Sequence, residues 1–227
     1  YIRILRNINI KTILVLKVFN NFAGNFSCMD VNQKIVSGSL DLFMKYGIKP
    51  VTMDMIAQEL GLSKRTIYEN FADKDELVRC CVDKMDEERN RSFTEILENS
   101  SNVIEALFRI MRQTIKVMSS VNPLFNKDIK KYFHEIHQSK FKSSENCRKQ
   151  QAAELLEKGK REGLFRQDVD VKIIAEIYLA QIKSMNYEDV FPEELYSKKE
   201  LVEHLLVNLL RGIATPKGME MIEKYTN

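Results

Sequence analysis

Five polar side chains lie close together in one short stretch of this chain, and their chemistry suits contact with a nucleic acid. They are Lys64, Arg65, Thr66, Tyr68 and Asn70. Cationic groups bind phosphates, and guanidinium, hydroxyl and amide groups also hydrogen-bond to the edges of bases. Ile67 and Phe71 are four residues apart, which places them on one face of a helix. With those two residues facing inward, the five polar residues lie on or near the outward side of a helix barely two turns long.

This short helix needs a partner, because a helix of about two turns is not stable alone. The preceding residues predict one: Thr52 can cap its start, and Gly61 can end it at positive φ without steric cost. Ser63 can then cap the polar helix. The small Ala57, the turning Gly61 and the branched Ile67 have the spacing of a helix-turn-helix.

Helices on both sides complete the predicted unit. Asp73, with Glu76 three residues later, has the pattern of a capping box that begins the next helix. Lys74 lies in the first turn of that helix, beside backbone amides that suit a phosphate. Upstream, a helix with an apolar stripe begins at Val31 and is ended by Gly47, and we expect it to brace the motif from behind.

These residues give the segment from about Val31 to Val82 a resemblance to the DNA-binding domain of the tetracycline-repressor (TetR) family of transcriptional regulators. The matching stretches are YGIKPVTM and IAQELGLSKRTIYENFADKDEL. The resemblance implies that the second helix of the motif enters the major groove. It also implies a long helical domain that binds an inducer and dimerises, so that a homodimer meets a palindromic operator in double-stranded DNA.

Roles for individual residues follow from the resemblance. The residues expected at base edges or nearby phosphates are Lys64, Arg65 and Thr66. The residues expected to clamp phosphate and sugar are Thr52, Tyr68 and Lys74, and Asn70 lies on the same surface. A ligand bound behind the long helix after Asp73 would swing that helix, change the spacing of two recognition helices and release the DNA.

Composition favours a soluble, all-α protein. The 227 residues are 44% hydrophobic and 30% charged, and they include only 8 Gly and 4 Pro. We expect a helix-turn-helix DNA-binding domain over residues 29–80 and a helical ligand-binding and dimerisation bundle over residues 81–227. The cysteines show no paired framework, which suits a reducing cytoplasm, and no apolar stretch is long enough for a membrane span.

Residues 1–28 differ from the rest of the chain. They hold four basic residues and no acidic one, so the net charge of +3 becomes −1 from Met29 onward. The interpretation we favour is sequence upstream of a natural start at Met29. The alternatives are a signal sequence, whose apolar run Lys17 would interrupt, and an amphipathic helix that docks on the body or on DNA. For the remainder, only local charge placement argues for nucleic acid.

The downstream part of the chain reads as a series of helices without strand alternation. A long helix is expected from Asp73 to about Glu98, and its middle, DKMDEERNR, is polar all round, as in a helix that bridges two bodies. Further helices are expected at about residues 102–120, 123–136, 139–161, 171–187 and 198–212, followed by a short one after Pro216.

Large apolar side chains recur at helical spacing in the middle of the chain. Core packing explains most of them, but the TetR resemblance implies an apolar cavity among these helices, and methionine suits a permissive ligand site. The residues we expect to line this cavity are Met111, Thr114, Ile115, Met118, Phe133 and His137. No acid or base in this region identifies the small-molecule effector, and no cofactor is expected.

Two late helices carry apolar stripes, and the second stripe is broader than one core face needs. Two such helices per subunit, paired about a two-fold axis, form a four-helix dimer interface. The residues expected there are Ile174, Ile177, Tyr178, Gln181, Leu201, Leu205, Leu206 and Leu209. The alternative is that the stripe belongs to the subunit core, and the TetR resemblance favours the homodimer.

Other chemistry has little support in the sequence. His134 and His137 can share a helix face and could join Cys147 in a metal site, but two partly exposed histidines explain this weak spacing. Phosphate-binding glycine loops, nucleophile elbows and zinc patterns are missing, so neither catalysis nor a metal is expected. The competing hypothesis is a helical sensor or adaptor that keeps the motif but no longer reads DNA.

Overall fold

The computed structural model describes residues 31–185, 190–192 and 194–226, and these form ten α-helices. Within those ranges, β-type pairing is limited to one isolated bridge between Phe165 and Ala214. The prediction of an all-α fold is confirmed. The interpretations of residues 1–28 concern a segment outside the described residues. None of the ten helices is both long and apolar enough to cross a bilayer.

The helices divide into a helix-turn-helix unit, which we call the DNA-binding unit after the predicted role, and a helical body. In chain order they are α1 (Val31–Tyr46), α2 (Met53–Leu60), α3 (Lys64–Asn70), α4 (Lys74–Glu98), α5 (Val103–Ser120), α6 (Pro123–Tyr132), α7 (His134–Arg161), α8 (Val171–Ser184), α9 (Lys198–Ile213) and α10 (Pro216–Thr226). Helices α1 to α3 form the predicted helix-turn-helix unit, and α4 leads from it into the body formed by α5 to α10.

Two helix boundaries differ from the prediction. The sequence predicts a break near residue 138, whereas α6 ends at Tyr132 and α7 begins at His134. Phe133 leaves the helical conformation, with φ −123° and ψ 51°, because its side chain is buried in the core beneath α1. Tertiary burial sets this turn, and no proline or glycine marks it. Helix α8 ends at Ser184 and Met185 caps it, whereas residues 186 and 187 of the predicted continuation lie outside the described residues.

Two apolar clusters hold the helices together. The first joins α1 to α4 and also includes Phe125, Phe133 and Ile136 from the α6–α7 region. The second joins α5 with α7 to α10, and in it Phe108 stacks on Tyr225 with 4.9 Å between the ring centroids. Because the first core takes residues from beyond position 80, the helical body braces the DNA-binding unit directly.

Helix α10 packs so closely on the chain before α8 that Gly218 has no room for a side chain. A Cβ at Gly218 would lie 2.1 Å from the carbonyl oxygen of Leu164. Gly218→Ala is therefore expected to lower the free energy of unfolding by about 1–3 kcal/mol. Gly212→Ala on α9 is the control, since nothing lies within 4 Å of its Cβ, and it is expected to raise stability by up to about 1 kcal/mol. Urea denaturation measures both, and equal effects would contradict the packing argument.

The polar middle of α4 is covered by α7. The Ser144 hydroxyl donates to Asp86 at 2.7 Å, and the Gln151 amide donates to Asn90 at 3.2 Å. The polar stretch that predicts a bridging helix is therefore a hydrogen-bonded seam between α4 and α7, and we refer to it below as the α4–α7 seam.

Candidate nucleic-acid interface

The turn between α2 and α3 has the geometry that its sequence predicts. Thr52 Oγ1 accepts the Met55 N–H at 3.2 Å, and Ser63 Oγ accepts the Thr66 N–H at 3.0 Å. Gly61 lies at φ 64°, in the left-handed region that disfavours a side chain. Both helices therefore begin at a hydroxyl cap, and the glycine turn brings α3 back against α2.

Buried side chains hold α3 from behind. Ile56 and Ile67 are fully buried, and so is nearly all of Phe71. Helix α1 approaches α2 closely at Gly38, where a Cβ would lie 2.3 Å from Leu60 Cδ2. The sequence interpretation does not assign Gly38 this role, although a glycine inside a helical pattern is a known sign of close packing.

The outward face of α3 carries the predicted contact residues. The side chains of Arg65 and Lys64 are 88% and 59% exposed, and Tyr68 is 46% exposed. Thr66 and Asn70 are partly buried at the edge of the same face. Helix α3 therefore brings all five residues together, with the cations and the phenol most accessible.

Both cations of α3 are paired with carboxylates. Lys64 Nζ lies 2.7 Å from Asp54 Oδ1, and Arg65 Nε lies 2.7 Å from Glu69 Oε1. The hydrogen bond to Asp54 raises the pKa of Lys64, so this amine stays protonated. Exposed ion pairs are weak and screened by salt, so a phosphate can displace the carboxylate. Residues 31–82 hold seven basic and seven acidic side chains, so the local attraction to DNA depends on these exchanges.

Two of the predicted contact residues also stabilise α3 itself. Thr66 Oγ1 lies 2.8 Å from Ser63 Oγ, and Asn70 Nδ2 donates to Thr66 O at 2.8 Å. One N–H of the Asn70 amide thus satisfies a carbonyl near the end of α3, which leaves its oxygen and its second N–H for another partner.

Lys74 has different partners from those that the sequence predicts. Its ammonium donates to Val51 O at 2.5 Å and to Ile48 O at 2.6 Å, with Lys49 O at 3.4 Å. Burial lowers the pKa of this amine. The assignment of Lys74 as a phosphate clamp is corrected, because the donors of the ammonium are used to hold the loop between α1 and α2.

Lys74→Met separates a structural role from a DNA-binding role. The variant keeps the side-chain length but leaves two close carbonyls unpaired, so the free energy of unfolding is expected to fall by about 1–3 kcal/mol. The salt dependence of DNA binding is expected to stay unchanged, whereas loss of a phosphate contact would reduce its slope by about one unit. Lys64→Met is the control. It is expected to leave the free energy of unfolding unchanged and to reduce the salt slope of DNA binding by about one unit. Urea denaturation and fluorescence anisotropy at several salt concentrations measure the two effects.

Helix α6 of the body contacts the DNA-binding unit directly. The Asn122 N–H donates to Met44 O at 2.7 Å, and the Asn122 side chain donates to Lys45 O at 3.0 Å. The buried carboxylate of Asp128 accepts the Lys49 N–H at 2.7 Å. Sequence reasoning missed Asn122 and Asp128, because partners 79 positions apart leave no local pattern.

The residues predicted to line a ligand cavity do not converge. Met111 is buried in the second core, whereas Phe133 belongs to the first. Thr114 is exposed, and His137 lines a shallow groove of about 600 Å³ beside α7. The two remaining residues, packed at the edge of the second core, are Ile115 and Met118. Among the described residues, these six therefore divide between the two cores and the surface.

The predicted dimer residues divide between surface and interior. Ile177 is 42% exposed, and Ile173, one turn earlier, is 56% exposed. Leu206 lies in the second core of its own subunit, so its assignment to the interface is corrected. The other predicted residues are partly buried, and they are Ile174, Tyr178, Gln181, Leu201, Leu205 and Leu209.

The histidine pair considered as a metal site has ordinary surroundings. His134 Nε2 lies 2.8 Å from the Gln138 side-chain nitrogen, and the Cys147 thiol lies 3.4 Å from Asn90 Oδ1. Among the described residues, no group of three His, Cys, Asp or Glu side chains is placed to hold a metal ion.

Known proteins with similar sequences carry the same motif. Residues 35–81 match the family described as bacterial regulatory proteins, tetR family. Two proteins of Bacillus subtilis (strain 168), each described as an uncharacterized HTH-type transcriptional regulator, align with most of the chain. YdeS is 24% identical over 199 residues, covering 83% of this chain and 92% of its own length. YvaF is 25% identical over 188 residues, covering 81% of this chain and 95% of its own length.

Solved structures share the whole fold. A TetR family transcriptional regulator from Agrobacterium tumefaciens has a TM-score of 0.63 at 17% identity, covering 81% of this chain and 97% of that chain. A putative transcriptional regulator from Saccharomonospora viridis, in complex with choline, has a TM-score of 0.59 at 19% identity. This match covers 82% of this chain and 98% of that chain. The family match covers the helix-turn-helix, and the structural match extends through the helical body. Residues 35–81 therefore form a domain of the tetR family, and the described chain has the fold of solved TetR family regulators.

Proposed function

We propose that this chain is a ligand-responsive repressor of the TetR family, which binds a palindromic operator as a homodimer. The observation that carries the proposal is the outward face of α3, where Lys64, Arg65 and Tyr68 are exposed around the buried Ile67. A short helix that is anchored on one side and presents donors and cations on the other suits the major groove.

The contacts to the operator are proposed to come from the side chains that lie on the outward face of α3 and at the start of α2. Lys64, Arg65 and Thr66 contact base edges or adjacent phosphates, and Tyr68 contacts phosphate and sugar. Thr52 begins α2, where its hydroxyl and the neighbouring amides suit a backbone phosphate. Lys64 and Arg65 exchange their carboxylate partners for DNA groups on binding.

The dimer is proposed to form through α8 and α9. Ile173 and Ile177 expose an apolar strip on α8, and the partly buried Leu201 and Leu205 lie on α9. Around a two-fold axis these helices form a four-helix interface. The two copies of α3 then lie about 34 Å apart, which matches one turn of DNA.

A small-molecule effector is proposed to act through the two connections between the body and the DNA-binding unit. One is α4, which begins at the unit and extends over 25 residues. The other is α6, which Asn122 and Asp128 join to the end of α1 and the loop after it. The choline complex of the S. viridis regulator supports small-molecule binding by this fold. An effector releases DNA only if it binds the DNA-free arrangement more tightly than the DNA-bound one.

Selection of bound sequences from a random duplex pool tests the proposal. The wild-type chain is expected to enrich an inverted repeat, and light scattering of the complex is expected to show at least two chains per duplex. Affinity for the selected duplex is expected to exceed affinity for a scrambled one by about 10³-fold or more. No enrichment, or a complex with one chain, would overturn the proposal.

A second candidate function is that of a helical sensor or adaptor that no longer reads DNA. The ion pairs of Lys64 and Arg65 and the equal numbers of basic and acidic side chains in residues 31–82 favour it. It predicts no salt-dependent binding to any duplex, whereas a DNA reader loses affinity as salt rises. Fluorescence anisotropy at low and high salt separates the two functions.

A further inference from the structure

A cluster of polar side chains lies between α4, α7 and α8, away from α3. Arg148 on α7 interacts electrostatically with Arg89 on α4 and with Tyr178 on α8. Gln181 lies three residues after Tyr178, on the same side of α8, and we refer to these four residues as the arginine cluster. Three of its atoms are buried without a hydrogen-bond partner: Nε of Arg89, Nε of Arg148 and Oε1 of Gln181. Buried polar atoms are normally paired, so the two unpaired guanidinium N–H groups on neighbouring helices indicate a missing acceptor.

Only some of the N–H groups of the Arg89 guanidinium, on α4, have hydrogen-bond partners. Its Nη1 lies 2.8 Å from Asp86 Oδ1, and its Nη2 lies 3.5 Å from Asn90 Oδ1. That amide oxygen also accepts from Cys147 Sγ and Gln151 Nε2. One carboxylate oxygen of Asp86 is therefore the main counter-charge of Arg89.

Arg148 on α7 makes no hydrogen bond to any residue that the structure describes. The nearby carboxylates have other partners, since Asp86 Oδ2 accepts from Ser144 Oγ at 2.7 Å and Glu145 Oε1 lies 2.5 Å from Lys183 Nζ. Burial lowers the pKa of Arg148, yet a guanidinium stays protonated in proteins. A positive charge is thus held in a helix interface without a hydrogen-bonded counter-ion, which is costly unless an anion joins it.

Helix α8 adds uncharged hydrogen-bonding groups to the cluster. Burial raises the pKa of Tyr178, so its phenol stays neutral and can donate. The unpaired atom of Gln181 is its amide oxygen, an acceptor, so this side chain donates to an anion only when the amide is turned to present its N–H groups. Guanidinium groups pair bidentately with carboxylates and phosphates, so two of them beside neutral donors form a site for an oxyanion.

We propose that the arginine cluster binds the carboxylate or phosphate group of a small-molecule effector, with Arg148 as the main contact and Arg89 as the second. The proposal rests on the proposed ligand-responsive function and names the chemical class of the effector. It locates the polar end of the ligand between α4, α7 and α8, whereas the TetR resemblance implies an apolar cavity lined by residues between Met111 and His137, on α5 to α7.

An anion held here acts on α4. Arg89 lies on the helix whose first turn is fastened to the DNA-binding unit by Lys74. Attraction of Arg89 to the anion competes with its pairing to Asp86, which also accepts from Ser144 in the α4–α7 seam. The anion therefore favours the arrangement of α4 in which both guanidinium groups reach it.

Thermal unfolding of the full chain tests the site without DNA. Propanoate and inorganic phosphate are titrated separately, at constant ionic strength, into wild type, Arg148→Met and Arg112→Met. Arg112 is an exposed arginine on α5, so its variant controls for surface charge. The Tm of wild type and of Arg112→Met is expected to rise by about 3–6 °C at ten times Kd, and that of Arg148→Met to stay flat. The anion that gives the rise tells a carboxylate effector from a phosphate effector.

The unliganded variants give a second readout. Without added anion, Arg148→Met is expected to keep or raise the Tm, because methionine replaces a buried charge that lacks a bonded partner. A lower Tm would show that Arg148 is paired within the protein and would overturn the proposal. An anion response in Arg148→Met equal to that of wild type, or no response in wild type, would overturn it as well.

Failure of the anion site and failure of the proposed DNA-binding function give different results in these experiments. A wild-type chain that binds its selected duplex but ignores both anions keeps the regulator function and loses the anion site. A chain whose Tm responds through Arg148 but which selects no duplex keeps the site and loses the DNA-binding function.

Discussion

Replacing Ile177 with glutamate is expected to break the homodimer and to weaken operator binding about 100-fold or more. Ile177 is 42% exposed on α8, beside the more exposed Ile173. In a two-fold interface the substitution places two unpaired carboxylates in apolar contact, at several kcal/mol each. A hundredfold loss requires only about 2.8 kcal/mol. In the proposed complex each copy of α3 reads half of the operator, so loss of the dimer is expected to remove half of the contacts.

Val117→Glu is the matched control for this experiment. Val117 is 43% exposed on α5, outside the proposed interface, and its variant is expected to stay dimeric and to bind the operator normally. Light scattering gives the mass of each variant, and fluorescence anisotropy gives its affinity. A dimeric Ile177→Glu variant, or equal losses in both variants, would contradict the α8–α9 interface.

Substitutions on α3 are expected to weaken DNA binding in two different ways. Lys64→Ala or Thr66→Ala removes a contact to a base edge, so affinity for the selected duplex falls about tenfold to hundredfold and the choice between duplexes relaxes. Tyr68→Ala removes a contact to phosphate and sugar, so affinity falls similarly for all sequences. Lys64 is free to make this exchange because its ion pair with Asp54 is exposed on both sides.

Anisotropy on the selected duplex and on a scrambled duplex measures the difference between these variants. Lys116→Ala removes an exposed cation on α5 and controls for loss of general charge. Each lost phosphate contact is expected to reduce the salt slope by about one unit. If every α3 variant lost the same factor on both duplexes, the division into base and backbone contacts would not hold.

The helix-turn-helix is predictable from the sequence because its determinants are local. The caps at Thr52 and Ser63 bind amides three residues ahead, and Gly61 sets the turn through its own φ. The inward direction of Ile67 follows from helical periodicity. Each of these features depends on residues within one or two turns of each other.

Long-range partners are not predictable in the same way. Lys74 lies in the first turn of a helix, which suggests a phosphate contact, but the carbonyls of its close hydrogen bonds lie 23 and 26 residues earlier. Asp128 reaches Lys49 across 79 positions. Phe133 ends a helix because its ring is buried in another domain's core, and such burial has no local signature.

The predicted ligand cavity is the clearest example of this limit. Phenylalanine and methionine at helical spacing indicate a buried face, and periodicity alone does not tell a packed core from a cavity wall. Met111 and Phe133 accordingly fall in different cores. Arg89 and Arg148 come together only because α7 packs along α4.

Two copies of α3, held at a fixed separation, are proposed to read one operator, and the spacing of the two half-sites tests this arrangement. Fluorescence anisotropy gives the affinity of the wild-type chain for the selected palindrome, for a duplex with one half-site, and for the palindrome lengthened at its centre by ~5 base pairs, about half a turn. We predict that both altered duplexes bind about 100-fold or more weakly than the palindrome, as expected when one of two recognition helices loses its contacts. Equal affinity for all three duplexes would contradict this arrangement.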